Sequence, residues 1–282
     1  MILVLGASGN VGSAVCKLLY ENKVEFAAPT SKDLDITNQL GVRSAIKDLR
    51  PTHIVNCVAK TNVDWCEDNE EEATLVNGVA VDYIGLAAKT YRAKLIQVST
   101  DYIFDGKKDG IYTEEDVPSP IQAYGRSKLV GEQNALKHEG VVARIQWVLG
   151  LEKSNFVTWI MESIVQKKEA KLSTIQVGSP CSAEYIAKNL YFLMALNVYT
   201  GIFHITHDDF VNRYDCATYI SARMGVSPSN CVMPVDSVAF GKAERPVNTR
   251  MSNAKLKRHF GDNTKDLWVD DINDYLIARY GR

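Results

Sequence analysis

Tyr124 and Lys128 in "YGRSK" stand four residues apart, so on a helix both side chains leave the same face. A phenol ionises near pH ~10, and as a proton donor near neutrality it needs its pKa to fall by about 3, roughly 4 kcal/mol. A lysine ammonium one turn away is a source of that shift, joined by the positive ring of a nicotinamide cofactor if one is bound. The stretch "STDYIFDG", Ser99 to Gly106, follows the apolar run "AKLIQV" and packs a hydroxyl pair, a carboxylate, a tyrosine and a second carboxylate into eight residues. A Y-x-x-x-K pair standing alone describes a solvent-facing pair. Its force comes from the company of a strand that ends in Ser99-Thr100 and of a glycine loop.

That loop is "GASGNVG", with Gly6, Gly9 and Gly12 between a first apolar strand and a first helix. Glycines there let the backbone turn tightly and approach a pyrophosphate, while the helix N-terminus offers unpaired N–H groups to the anion. The loop and its intervening Ser8, Asn10 and Val11 are expected to bind a dinucleotide. An acid at the end of the second strand would select NAD, but "VEFAA" runs into Pro29, Thr30, Ser31 and Lys32. The hydroxyls of Thr30 and Ser31 and the Lys32 ammonium suit a phosphate, which favours NADPH and leaves NADH open.

The elements that must position these groups follow a β-α-β rhythm. "MILVL", "VEFAA", "HIVNCVA" and "KLIQVST" alternate with helical patterns, which predicts a doubly wound parallel sheet of Rossmann type. A polar loop over 105–122 precedes a helix around "YGRSKLVGEQNALKH" and a strand "VVARIQWVLG". Beyond Gly150 the pattern changes to helices with short strands. We expect a dinucleotide-binding domain over 1–150 and a smaller α/β lobe over 151–282, mainly for substrate, with some segments returning to the first domain and a cleft between. With 282 residues, 46% apolar, the chain can bury a large core. A net charge of -2 gives no broad attraction to nucleic acid or anionic membrane. The opening "MILVLGASG" lacks a basic leader and is too short to span a bilayer. The six cysteines, Cys16, Cys57, Cys66, Cys181, Cys216 and Cys231, show no C-x-x-C pair, which suits a reducing cytoplasm.

The glycine loop, the strand-end hydroxyl and Tyr124 with Lys128 resemble the extended short-chain dehydrogenase/reductase superfamily. "STDYIFDG", "YTEEDVPSPIQAYGRSKLVGE", "RIQWVLG", "NFVTWIM", "GSPCSAEYIA", "GIFHIT" and "ERPVNTRMS" are similar to the dTDP-4-dehydrorhamnose reductase family over nearly the whole chain. The resemblance implies NAD(P)H-dependent reduction of a nucleotide-linked 4-keto-6-deoxy sugar. Thr100 would hydrogen-bond the C4 carbonyl, Tyr124 would protonate it, and Lys128 would bind the nicotinamide ribose and lower the Tyr124 pKa. Asp101, Tyr102 and Trp147 would line the sugar pocket, with Ser99 a structural or cofactor contact. Ala59 and Thr61 would lie along the cofactor, Asn77 would support the site, and Asp35 and Ile36 would border the adenine. Asn155, Phe156 and Arg245 are candidates for the diphosphate and base, with a salt bridge the other reading of Arg245. A different dTDP- or UDP-sugar, and a non-catalytic regulatory subunit that keeps the fold, stay open.

"HITHDD" gathers His204, His207, Asp208 and Asp209, but as a strand and a loop it reads as structural, and no metal is expected. The acidic "CEDNEEEA" reads as a solvated helix start. Some family members dimerise through a metal held by a glutamate soon after the last loop glycine. Ser13, Ala14 and Val15 occupy that stretch here, so a homodimer is left open.

Overall fold

Val4 lies beside Val55, Val55 beside Ile96, and Ile96 beside Val141, so the apolar runs of the first half become parallel neighbours in one sheet. All four side chains are buried, as expected for strands covered on both faces. The structure, a computed structural model, describes residues 1–166, 168–195, 200–227, 232–239, 241–261 and 267–281; Cys231 lies outside them. Its strands are β1 (Ile2–Leu5), β2 (Phe26–Ala27), β3 (His53–Asn56), β4 (Lys94–Thr100), β5 (Val141–Ile145), β6 (Val148–Leu149), β7 (Ala170–Ser173), β8 (Val177–Gly178), β9 (Cys181–Ser182), β10 (Gly201–Ile205), β11 (Val211–Asn212) and β12 (Val232–Val235).

The main sheet has the order β10-β5-β4-β3-β1-β2, every pair parallel. Successive side chains point to opposite faces. Val4 therefore joins Val11, Val15 and Leu19 of helix Asn10–Glu21 and Leu190 of helix Ala183–Ala195. Leu3 and Leu5 join Val42 and Ile46 of helix Gln39–Leu49 and Ile84 of helix Ala80–Tyr91. Strand order reverses at β1, which puts a crevice beyond the carboxyl ends of β1 and β3.

Among the described residues, the second lobe has three two-stranded pairs, β6 with β9, β7 with β12, and β8 with β11. Its own core includes Leu149, Ile160, Met161, Leu172, Ile220 and Leu276. Asp271 ties it to β9: its carboxylate accepts from Ser182 N–H at 2.5 Å, from Ser182 Oγ at 2.9 Å, and bonds His207 Nε2 at 2.8 Å. From the same half of the chain, β10 returns to edge the main sheet against β5.

Two elements are interrupted. The run "VVARIQWVLG" splits into β5 and β6 because Trp147 takes a φ of +41°, a conformation rare for an aromatic residue. The helical stretch around residues 70–91 carries a π-helical turn, Leu75–Val79, between Glu70–Thr74 and Ala80–Tyr91. Such turns widen the helix and commonly sit at functional sites.

Candidate active site

A cavity of about 670 Å³ lies between the strand ends of the main sheet and the second lobe. Gly6, Ser8, Gly9, Asn10, Val11, Gly12, Ala59, Thr61, Ser99, Thr100, Asp101, Tyr102, Tyr124, Lys128, Trp147, Asn155 and Phe156 all line it. Gly6 ends β1 at a φ of +81°, and a Cβ there would meet the Cys57 carbonyl carbon at 2.9 Å. A Cβ on Gly12 would stand 2.2 Å from Gly6 O, so the helix can begin this close to the strand only with glycine. Loop and helix N-terminus thus present backbone to the cavity, a cradle that fits a dinucleotide pyrophosphate.

Thr100 closes β4 and caps the 3-10 turn Asp101–Ile103: its Oγ1 accepts from Tyr102 N–H at 3.2 Å and donates to Asp101 Oδ1 at 3.0 Å. Asp101 is 3% exposed, and its other oxygen has no hydrogen-bond partner among the described residues. Burial pushes its carboxyl up to about 6. Tyr124 sits in the first turn of helix Ala123–Lys137, whose N-cap Gln122 accepts from Gly125 N–H at 2.7 Å. Its ring meets Tyr102 edge-on, centroids 6.1 Å apart.

Lys128, one turn on, is buried, and its Nζ donates to the Val98 carbonyl at 2.6 Å. Desolvation draws the ammonium down to about 8, with Glu132 opposing. The phenol of Tyr124 departs from the expected fall. Its depth in the cleft pushes its pKa well above the ordinary tyrosine value, and the Thr100 hydroxyl offsets only part of this. The Lys128 ammonium gives its hydrogen bond to a strand carbonyl, and burial dominates the phenol.

Ser99 lines the cavity, but its hydroxyl donates to Glu132 Oε1 at 2.5 Å. Arg144 grips the same carboxylate through Nε at 3.0 Å and Nη2 at 2.7 Å, a buried pair that locks β5 to the Tyr124 helix. Thr30, Ser31, Asp35, Ile36, Asn77 and Arg245 stand outside the cavity lining. The Thr30 hydroxyl and N–H both go to Asp33 Oδ2, at 2.7 and 2.9 Å, which closes a local turn and holds that carboxyl below its usual range. Ser31 is exposed beside it. Asp35 accepts from Thr37 N–H and Oγ1, and Ile36 is buried with Val42 and Ile46. Arg245 forms a salt bridge with Asp64 at 2.9 Å and donates to the Ala243 carbonyl at 2.9 Å.

Asn77 reaches the site through its neighbours. From the π-helical turn its Oδ1 accepts from Lys60 N–H at 2.7 Å, and its Nδ2 donates to the Lys60 carbonyl at 3.0 Å and to Ser127 Oγ at 2.9 Å. On the opposite wall, Asn155 caps helix Phe156–Val165, accepting from Val157 and Thr158 N–H and donating to the Gly150 carbonyl at 2.8 Å. Asn10 of the glycine loop accepts from Lys153 N–H at 2.7 Å and so joins the two lobes across the cavity mouth.

Sequence reading missed Cys57, Gln146, Lys153 and Arg213, which also line the cavity. Cys57 follows from its place two residues before Ala59. Arg213 had no signal, because in "NRYDCATYI" it reads as a solvated residue of a helix's first turn. His204 and His207 are both buried, beside Arg144 and Asp271 respectively, and Asp208 pairs with Lys257.

The family model for the RmlD substrate binding domain matches residues 1–280. The spore coat polysaccharide biosynthesis protein SpsK of Bacillus subtilis is 30% identical over 281 residues, covering 99% of this chain and 97% of that protein. The dTDP-4-dehydrorhamnose reductase of Aggregatibacter actinomycetemcomitans is 31% identical, covering 94% and 95%. Among solved structures, a dTDP-4-dehydrorhamnose reductase from Clostridium acetobutylicum superposes with a TM-score of 0.93 at 31% identity, covering 98% of both chains. That of Bacillus anthracis, solved in complex with NADP, gives 0.92 at 26%, again over 98% of both. A glycine cradle, a threonine-tipped strand and a Tyr-Lys helix thus meet in a fold matched end to end, and the chain belongs to the dTDP-4-dehydrorhamnose reductase (RmlD) family.

Proposed function

We propose that this chain is an NADPH-dependent oxidoreductase that reduces the C4 keto group of dTDP-4-dehydrorhamnose to give dTDP-L-rhamnose. The observation that carries the reading is convergence: a backbone cradle for a dinucleotide and the Thr100–Tyr124 pair open into the same cavity. A reduced nicotinamide bound there would supply the hydride. Thr100 turns its hydroxyl proton from Asp101 to the C4 oxygen and orients it. Tyr124 Oη donates the proton that converts this oxygen to a hydroxyl, and its raised pKa keeps the phenol protonated until then. Lys128 would hold the nicotinamide ribose, and its ammonium charge would favour the phenolate left behind. Asp101, Tyr102 and Trp147 enclose the sugar, and Trp147 is fixed by its constrained backbone.

The division of labour that fits this chemistry is a cofactor domain over 1–150 and a mainly substrate-binding lobe over 151–282, from which β10 returns to the first domain. Among the described residues no helix is long and apolar enough to cross a membrane, which agrees with a cytoplasmic reaction on a water-soluble substrate. The test follows NADPH absorbance on adding dTDP-4-dehydro-6-deoxy-L-mannose, with NADH and the UDP-linked sugar in parallel. Oxidation is expected with the dTDP sugar. No turnover of any 4-keto nucleotide sugar would exclude the reductase reading, and faster turnover of the UDP sugar would reassign the carrier.

A further inference from the structure

We propose that Arg213 is the residue that binds the diphosphate of the nucleotide sugar, a role that rests on the reading of this cavity as a nucleotide-sugar site. Arg213 opens helix Arg213–Arg223 of the second lobe, and its side chain forms part of the cavity wall. The guanidinium carbon lies 3.4 Å from the ring centroid of Trp147 and 4.6 Å from that of Phe156. Two aromatic faces hold the plane of the fork, an arrangement that suits arginine and not lysine.

What the site lacks is a counter-charge. The guanidinium's hydrogen bond goes from Nε to Gln176 Oε1 at 3.3 Å, a neutral acceptor. No carboxylate stands within ion-pair distance of it among the described residues, whereas Arg126, Arg144 and Arg245 are matched by Glu70, Glu132 and Asp64. Asp101 is the acid whose charge it feels, and burial holds that carboxyl towards its neutral form. A partly buried cation without a counter-charge is costly. That cost is relieved by an anion with several oxygens, which the terminal nitrogens can grip in pairs. The nucleotide sugar carries such a group between its base and its reacting ring. Arg245, its fork engaged by Asp64, is less available for that role.

Calorimetric titration of the full chain with dTDP, UDP, thymidine, the intact dTDP sugar and NADPH tests this in the wild type, Arg213→Gln and Arg213→Lys. Loss of a charge-assisted pair is expected to weaken dTDP about 10- to 100-fold in Arg213→Gln, with an intermediate loss in Arg213→Lys. NADPH affinity should stay within about twofold, which also reports that each variant is folded. If the glutamine variant fails to fold, the lysine variant carries the same test. Unchanged dTDP affinity in the folded variants overturns the assignment, as does a loss confined to the intact dTDP sugar, which would make Arg213 a reader of the sugar. A loss of NADPH affinity in both variants also overturns it. A wild type that binds NADPH but neither dTDP nor UDP refutes the nucleotide-sugar reading itself, an outcome distinct from any difference among the variants.

Discussion

Asn77 binds both backbone groups of Lys60, its Oδ1 taking the N–H at 2.7 Å and its Nδ2 giving to the carbonyl at 3.0 Å. Lys60 stands between Ala59 and Thr61, so this one side chain sets the course of the chain that borders the cavity after β3. The π-helical turn explains how Asn77 gets there. The same turn brings Gly131 of the Tyr124 helix against the Asn77 carbonyl, where a Cβ would stand at 2.2 Å. The loop after β3 and the Tyr124 helix are thereby keyed to one residue.

Asn77→Ala should leave the Lys60 N–H and carbonyl and the Ser127 hydroxyl without their partner, at a cost of about 2–4 kcal/mol. In a chain of this size that lowers Tm by roughly 3–7 °C. NADPH titration should show the dissociation constant rising about tenfold, with a smaller change in kcat. Wild-type NADPH affinity in this variant would mean that the 59–61 segment is held by other contacts.

Gly12→Ala sets a methyl group 2.2 Å from a backbone oxygen that has no room to move, so the loop must open. The expected result is a folded chain, weakened by about 1–3 kcal/mol, whose NADPH affinity falls at least about tenfold. Equal NADPH binding by fluorescence titration would show that the loop does not form the pyrophosphate cradle.

Much of this arrangement was legible because it depends on local rules. Three glycines between a strand and a helix, and a tyrosine and lysine one turn apart, have one geometric consequence each, and the parallel sheet follows from its continuous apolar runs. What the residues alone hid depends on tertiary approach. Ser99 looks like a free hydroxyl at a strand end until Glu132, 33 residues on, claims it. Thr30 reads as a phosphate ligand, and nothing in the sequence signals that its hydroxyl goes to Asp33. Arg245 and Arg213 are alike in sequence, and only the fold shows that one has Asp64 for a partner and the other two aromatic rings. The phenol pKa went astray for the same reason, since spacing reports the lysine's position but not how deeply the ring is buried.

Asp101 should make stability depend on pH in the opposite sense to a salt-bridged aspartate. Its folded carboxyl titrates at about 6 against an ordinary 3.8, so between those values the folded state keeps a proton that the unfolded chain has lost. This contribution is favourable towards pH 4 and is lost as pH rises through 6, about 3 kcal/mol in all. Asp101→Asn removes the cost, so urea unfolding should find the variant more stable than wild type at pH 7 by up to about 3 kcal/mol, with the gap closing towards pH 4. A constant difference across that range would place the burial cost elsewhere.

Tyr124→Phe removes one oxygen and leaves the ring that packs edge-on against Tyr102. The cofactor cradle lies on other elements, so NADPH affinity should change by less than about threefold and Tm by no more than roughly 2 °C. Turnover should fall about 10²- to 10⁴-fold, the contribution of a positioned proton donor, with kcat and kcat/KM lowered together because the lost interaction belongs to the transition state. The control is Thr100→Val, which keeps the strand shape but removes both the carbonyl ligand and the cap on Tyr102 N–H. If Tyr124 is the donor, the double variant loses little beyond Tyr124→Phe alone, since residues acting as a unit are not additive. Wild-type turnover in Tyr124→Phe would assign protonation to another group in the cavity, and Asp101, protonated below about pH 6, is the acid nearest to Thr100.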